Sequence, residues 1–295
     1  MTDVSAKGPL QGETYYKFGI IGYPLGHSLS SVMHTAALKD LGLNGEYNAL
    51  ETEPEDLVDR IKMLKRDNYF GFNVTIPHKV PISLFLSKVD EYANLAGSVN
   101  TVKILEDKSL EGFNTDIYGF IKPIENLDLK GKKAAILGTG GAARGVVVGL
   151  KSLGVSEIDF YTRNIIDSHG VIEGFRQKFP EIKINLIQNE FLKTLEDCAI
   201  VVNTTPLGMK GKYADVSPLA ENIVKTLPDS GLVYDIVYNP IKTELIKNAI
   251  SAGKEYIGGL DMLVYQGARA FEIWTGKAPD IDKMKIAALE KLLDS

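Results

Sequence analysis

Residues 134–137 are a short run of small and aliphatic side chains, and Gly138-Thr-Gly140-Gly141-Ala142-Ala143-Arg144 follows directly. An apolar run that ends in G-x-G-x-x-A and passes into a helical pattern admits few architectures. The first glycine permits a tight turn, and the second lets the main chain approach a diphosphate. The third small residue lets the helix lie close on the sheet. Amide groups at the helix start then face the phosphates. On this reading Gly138, Gly140, Gly141, Ala142 and Ala143 bind a dinucleotide. The alternative is a tight turn with a structural role only.

The rhythm around this turn sets the fold class. Strands are predicted at 134–137, 157–161, 183–187, 199–203, 232–237 and 255–257, with helical stretches between them. That alternation implies a parallel, doubly wound, Rossmann-like sheet. Ahead of it, strands are predicted at 17–22, 46–50 and 70–76 and a helix at 29–41. Thr52 and Glu55 stand at capping-box spacing, with Pro54 in the first turn of a helix that reaches Lys65. Segments 98–105 and 110–114 flank a polar turn and read as a hairpin, which predicts a mixed sheet in this half. Helices are predicted again at 262–275 and 283–293. With 295 residues, the expectation is an α/β protein of two domains.

Composition narrows the partners. A net charge of −5 argues against nucleic acid and leaves small anionic ligands open, because local cations and helix N-termini bind those. No apolar run approaches the roughly 20 residues of a membrane span, so no membrane partner is expected. The single cysteine, Cys198, rules out an internal disulfide, offers no zinc site and fits a reducing cytoplasm. Residues 1–14 are polar, which predicts a disordered extension and no secretory leader.

Several polar residues stand where strands give way to helices. Arg163 follows the strand 157–161, where an NAD-binding chain usually carries an acid. A guanidinium there pairs with a 2′-phosphate and favours NADP; the alternative is a solvated loop arginine. Ser28 and Ser30 precede a helix and either cap it or present hydroxyls to a carboxylate. His27 and His34 have no metal-ligand spacing, and His34 reads as a packed or exposed histidine. Asn73, Thr75 and Lys79 lie at a strand's carboxyl end, where open sheets bind ligands. Taken alone, Lys79 also fits a solvated cation. Asn100 and Asp116 flank the hairpin and also fit a turn and a helix cap.

Taken in order, these segments resemble the shikimate dehydrogenases. The resemblance rests on Gly22-Tyr-Pro-Leu-Gly-His-Ser28-Leu-Ser30, Asn73-Val-Thr-Ile-Pro-His-Lys79, Gly97-Ser-Val-Asn-Thr101, Asn114-Thr-Asp116 and the glycine turn. It continues through Asn203-Thr-Thr-Pro-Leu-Gly-Met209, Tyr234-Asp-Ile-Val-Tyr238-Asn-Pro240 and Gly259-Leu-Asp-Met-Leu-Val-Tyr-Gln266. It implies a substrate-binding, catalytic domain of residues 1–116 and 261–295, and an NADP-binding domain of residues 117–260. The site would lie in the cleft between them. It further implies that Lys79 and Asp116 are the catalytic pair, that Ser28, Ser30 and Tyr238 hold a carboxylate, and that Thr75, Asn100 and Gln266 read ring hydroxyls. Arg163 and Met209, with Thr162, Asn164, Thr204, Val237 and Gly259, would join the glycine turn in lining the cofactor site.

The activity so implied is reversible, NADP(H)-dependent reduction of 3-dehydroshikimate to shikimate in aromatic amino-acid biosynthesis, by a cytoplasmic monomer or homodimer. The rival readings are an NAD-using quinate/shikimate dehydrogenase and a catalytically silent NADP-binding sensor module. Ser31, Thr35 and Ser98 depart from the family's usual residues without removing a proposed catalytic group. Asp167 stands four positions after Arg163, where the family often has a second basic residue. An acid there repels a 2′-phosphate and weakens selectivity for NADP.

Overall fold

Strand β1 (Tyr16–Gly22) opens a β-α-β unit, in which helix α1 (Ser30–Asp40) returns the chain to β2 (Gly45–Glu51), parallel to β1. A 3₁₀ turn (Pro54–Asp56) and α2 (Leu57–Arg66) lead to β3 (Gly71–Val74), which pairs with the other edge of β1. A second 3₁₀ turn (Pro81–Phe85) precedes β4 (Lys88–Val89) and α3 (Glu91–Ala96). Strands β5 (Thr101–Ile104) and β6 (Leu110–Phe113) form the expected hairpin, and β5 joins β3 antiparallel. The sheet has the order β2-β1-β3-β5-β6-β4 and is mixed, as the hairpin between β-α-β segments predicts. The computed structural model describes residues 14–26 and 28–294. The expectations placed on residues 1–13 and on His27 lie outside them.

Helix α4 (Thr115–Ile121) leads to the second sheet. There β7 (Lys133–Leu137), α5 (Gly141–Ser152), β8 (Glu157–Thr162), α6 (Ile165–Lys178) and β9 (Lys183–Gln188) form one half. The other half is β10 (Cys198–Asn203), α7 (Glu221–Val224), β11 (Leu232–Asp235), α8 (Glu244–Ser251) and β12 (Glu255–Gly258). All pairings are parallel and the order is β12-β11-β10-β7-β8-β9. The order reverses between β7 and β10, which is the doubly wound arrangement. Helices α9 (Gly259–Thr275) and α10 (Ile281–Leu293) follow.

Contacts divide the chain into two compact units. Among the described residues, one holds 14–26, 28–89, 99–113 and 270–294; the other holds 90–98 and 114–269. In the second unit, successive residues of β7 go to opposite cores: Ala134 and Ile136 pack on one face, Ala135 and Leu137 on the other. A strand covered on both faces needs apolar residues at every position, and so it reads as a continuous run in the sequence. In the first unit, Phe18 stacks on Trp274 at 4.8 Å between ring centres, and the indole N–H donates to the Val102 carbonyl at 2.9 Å.

Three local expectations are corrected. Thr52 does not cap a helix: its hydroxyl donates to the Leu50 carbonyl and accepts from Arg60 Nε, while the 3₁₀ turn starts two residues later. The chain after Lys79 makes a 3₁₀ turn instead of an α-helix. Strand β11 ends at Asp235, because the Val237 N–H turns away from the sheet to the Asp235 carboxylate at 3.1 Å.

Candidate active site

In the first unit the carboxyl ends of β1 and β3 lie side by side. The Thr75 N–H donates to the Ile21 carbonyl and the Tyr23 N–H to the Ile76 carbonyl, each at 2.9 Å. Gly22 makes this closeness feasible, since a Cβ there would fall 2.3 Å from Thr75 Cγ2. The loop bearing Ser28 and Ser30 is thereby held beside the loop bearing Thr75 and Lys79. The Ser28 hydroxyl accepts from the Ser30 N–H at 3.2 Å, Ser30 begins α1, and its side chain is buried. Lys79 is half-buried; its carbonyl accepts from the Val99 N–H at 2.7 Å, and the neighbouring Asn100 carbonyl accepts from the Val74 N–H at 2.8 Å. Ser28, Ser30, Thr75, Lys79 and Asn100 thus gather at one end of one sheet.

Asp116, Tyr238 and Gln266 belong to the second unit. Asp116 lies inside the first turn of α4, whose N-cap is Asn114, so it is not the helix cap that its position in the sequence also allowed. It is half-buried, and its Cβ lies 3.5 Å from where a Cβ on Gly145 of α5 would be. Gln266 on α9 is buried; its Nε2 donates to the Leu263 carbonyl at 2.8 Å and its Oε1 accepts from Thr115 at 3.4 Å. Tyr238 follows β11, and burial pushes its phenol pKa up.

The glycine turn stands at the switch between β7 and β10. Gly138 has φ +96°, and a Cβ there would fall 2.8 Å from Thr205 Cγ2 and 3.1 Å from Thr204 Oγ1. The Thr204 hydroxyl donates to the Leu137 carbonyl at 2.7 Å. At Gly140 and Gly141 the case differs, because a Cβ at either would meet no protein atom within 4 Å. Protein packing does not require glycine there, whereas a diphosphate lying against the start of α5 does. Ala143 is fully buried, which fits the close approach of helix to sheet. The glycine turn therefore fits a dinucleotide.

The other cofactor residues divide by what they touch. Arg163 is exposed just past β8, and Met209 is exposed after β10. Asn164 caps α6 through its Oδ1 and donates from Nδ2 to Asp167 at 2.5 Å. The Thr162 hydroxyl is turned inward to Ser168 at 3.0 Å. Val237 is buried, and its carbonyl accepts from the Gly259 N–H at 3.2 Å.

Sequence reasoning assigned no role to the side chains that brace these loops. Ser168 joins Thr139 of the glycine turn to Thr162, at 2.7 and 3.0 Å. Asp235 accepts from Asn203 Nδ2, the Val237 N–H and the Thr243 hydroxyl, at 2.9, 3.1 and 2.6 Å. Asn203 Oδ1 in turn accepts from the Thr205 N–H and hydroxyl. Burial raises the Asp235 pKa to about 6 against these hydrogen bonds. Asn203 and Asp235 sit inside quoted motifs, and their shared position at strand ends was the available signal.

A reversing parallel sheet with G-x-G-x-x-A at its switch, in a chain that also carries a second, mixed-sheet unit, defines the class of dinucleotide-binding α/β dehydrogenases. Residues 20–102 match the family model described as "Shikimate dehydrogenase substrate binding domain", and residues 259–289 match "Shikimate 5'-dehydrogenase C-terminal domain". The chain belongs to the shikimate dehydrogenase family. A shikimate dehydrogenase (NADP(+)) of Bacillus cereus is 37% identical over 278 residues, 93% of this chain and 98% of that protein. The crystal structure of the Thermus thermophilus shikimate 5-dehydrogenase, in complex with NADP(H) and shikimate, matches with a TM-score of 0.81 at 34% identity. It covers 93% of this chain and 99% of that one. The quinate dehydrogenase of Corynebacterium glutamicum, in complex with NAD, matches with a TM-score of 0.80 at 28% identity, over 93% and 99%.

Proposed function

We propose that the protein catalyses the reversible reduction of 3-dehydroshikimate to shikimate with NADP(H), in the biosynthesis of aromatic amino acids. The observation that carries this reading is family membership across 93% of the chain together with the presence of both Lys79 and Asp116. Reducing a ketone needs a hydride on carbon and a proton on oxygen. Bound NADPH supplies the hydride. The Lys79 ammonium donates to the ketone oxygen, stabilises charge as it develops there, and gives the proton; in reverse it accepts the C3 hydroxyl proton. Asp116 accepts from a ring hydroxyl and, with Lys79, orients the reacting carbon. Ser28, Ser30 and Tyr238 hold the carboxylate, and Thr75, Asn100 and Gln266 read the remaining hydroxyls. Residues 1–116 and 261–295 take the substrate-binding, catalytic role and residues 117–260 the NADP-binding role, with Gly138–Ala143, Arg163 and Met209 facing the cofactor.

The second reading, an NAD-using quinate/shikimate dehydrogenase, draws support from Asp167. This acid sits in the first turn of α6, four residues after Arg163, where it disfavours a 2′-phosphate. We place the protein in the cytoplasm, supported by its lone cysteine, which is buried. Initial rates with shikimate and quinate, each against NADP and NAD, test the whole reading. The highest kcat/KM is expected for shikimate with NADP. A higher kcat/KM with NAD selects the second reading. Absence of turnover of shikimate with either cofactor leaves a silent binding module.

A further inference from the structure

A chain of buried hydrogen bonds runs beneath the substrate side of the first unit. Asn73 Nδ2 donates to the Asn100 carbonyl at 3.2 Å, and a carbonyl can only accept. This one contact fixes which end of the Asn73 amide is nitrogen. Asn73 Oδ1 therefore faces Tyr47, and the phenol donates to it at 2.7 Å. Asn73 Nδ2 also donates to Thr101 Oγ1 at 3.0 Å, and the Thr101 hydroxyl donates to Asn100 Oδ1, also at 3.0 Å. The Asn100 amide thus stands with its oxygen on Thr101.

Tyr47 is the member of this chain with no motif around it. Its ring is held from above by His34, parallel to within 3° at 4.4 Å between ring centres. Its hydroxyl is the donor that meets Asn73 Oδ1. We propose that Tyr47 is a positioning residue for substrate recognition. Through Asn73 and Thr101 it fixes the Asn100 amide. This rests on the reading that Asn100 contacts the substrate. Buried polar chains with every member satisfied specify one arrangement, whereas a chain that loses a member leaves an amide oxygen without a donor.

Tyr47→Phe removes a single oxygen and keeps the stacked ring. The expected result is a rise of about tenfold in KM for shikimate, the usual consequence of losing one buried hydrogen bond. The value of kcat should stay within about threefold of the parent and KM for NADP should not move, because neither chemistry nor the cofactor site is touched. Thr101→Val should do likewise. The double variant should resemble the worse single one, since both changes break one chain. Asn100→Ala is the control for the underlying reading and should raise KM for shikimate at least as far. If Asn100→Ala raises that KM and Tyr47→Phe leaves it at the parent value, with or without a lower Tm, the positioning role is wrong. Multiplying effects in the double variant would also overturn it. If Asn100→Ala itself leaves KM unchanged, the substrate-site reading fails and the proposal falls with it.

Discussion

A lysine at a strand end is ordinarily a solvated cation, and what sets position 79 apart is its company. Its main chain is tied to Val99, beside Asn100, and its loop is held against the one that carries Ser28 and Ser30. Lys79→Ala should lower kcat by about 10²-fold or more, the size of acid–base assistance, while NADP binding measured by fluorescence titration stays intact. Near-parental kcat would remove Lys79 from the proton path. Asp167 calls for a different measurement. Its carboxylate is held by Asn164 in the first turn of α6. Asp167→Asn should therefore shift the NADP-over-NAD ratio of kcat/KM upward by several-fold, and an unchanged ratio would show that the acid does not meet the 2′-phosphate. Both positions were legible because short motifs mark them. Tyr47 was not: it lies in mid-strand with ordinary neighbours, and its role arises only when folding brings Asn73 to its hydroxyl.

Among the elements, the glycine turn separates two reasons for a glycine. Gly138 is required by the fold, through its positive φ and the two threonines against it. At Gly140, where φ is −76° and a methyl group would touch no protein atom, the fold makes no such demand. Gly140→Ala should keep the parental Tm yet weaken NADP binding by tenfold or more, because the methyl group occupies the path of the diphosphate. Parental binding in a titration would mean that the phosphates lie elsewhere. Gly138→Ala should instead lower the Tm itself. The strands of the parallel sheet were readable because burial on both faces leaves an uninterrupted apolar run. The start of α2 was misread because Arg60 reaches back to claim the Thr52 hydroxyl, a contact from the following helix that local spacing does not encode. The segment after Lys79 misled for a related reason, since its few residues are too short to distinguish a 3₁₀ turn from a helix.

At the scale of the whole chain, the two units carry buried titratable groups of opposite sign. The sequence foretold two sheets but not this, because burial depends on what packs around a side chain and not on its type. His34 lies in the first unit, fully buried among Tyr47, Phe271 and Trp274, with no partner for either ring nitrogen. Burial lowers its pKa from the ordinary 6.5 to about 3. Its neutral form is therefore the stable one, and its contribution is full above about pH 6.5 and lost as the pH falls toward 3. Asp235, in the second unit, behaves in the reverse way: burial raises it from 3.8 to about 6, so the burden of its charge is present at pH 7 and is relieved as the pH falls through 6. Between pH 7 and pH 5 the first unit should lose about 2 kcal/mol and the second should gain about 1 kcal/mol. Trp274 is the sole tryptophan and belongs to the first unit, so its fluorescence in urea reports that unit. Hydrogen exchange at the β7 and β10 amides reports the other. Acidification to pH 5 should bring the Trp274 transition to lower urea while the β7 and β10 amides become better protected. His34→Phe should flatten the first response and leave the second. An acid response of Trp274 that survives in that variant would mean that some other group in the first unit takes up the proton.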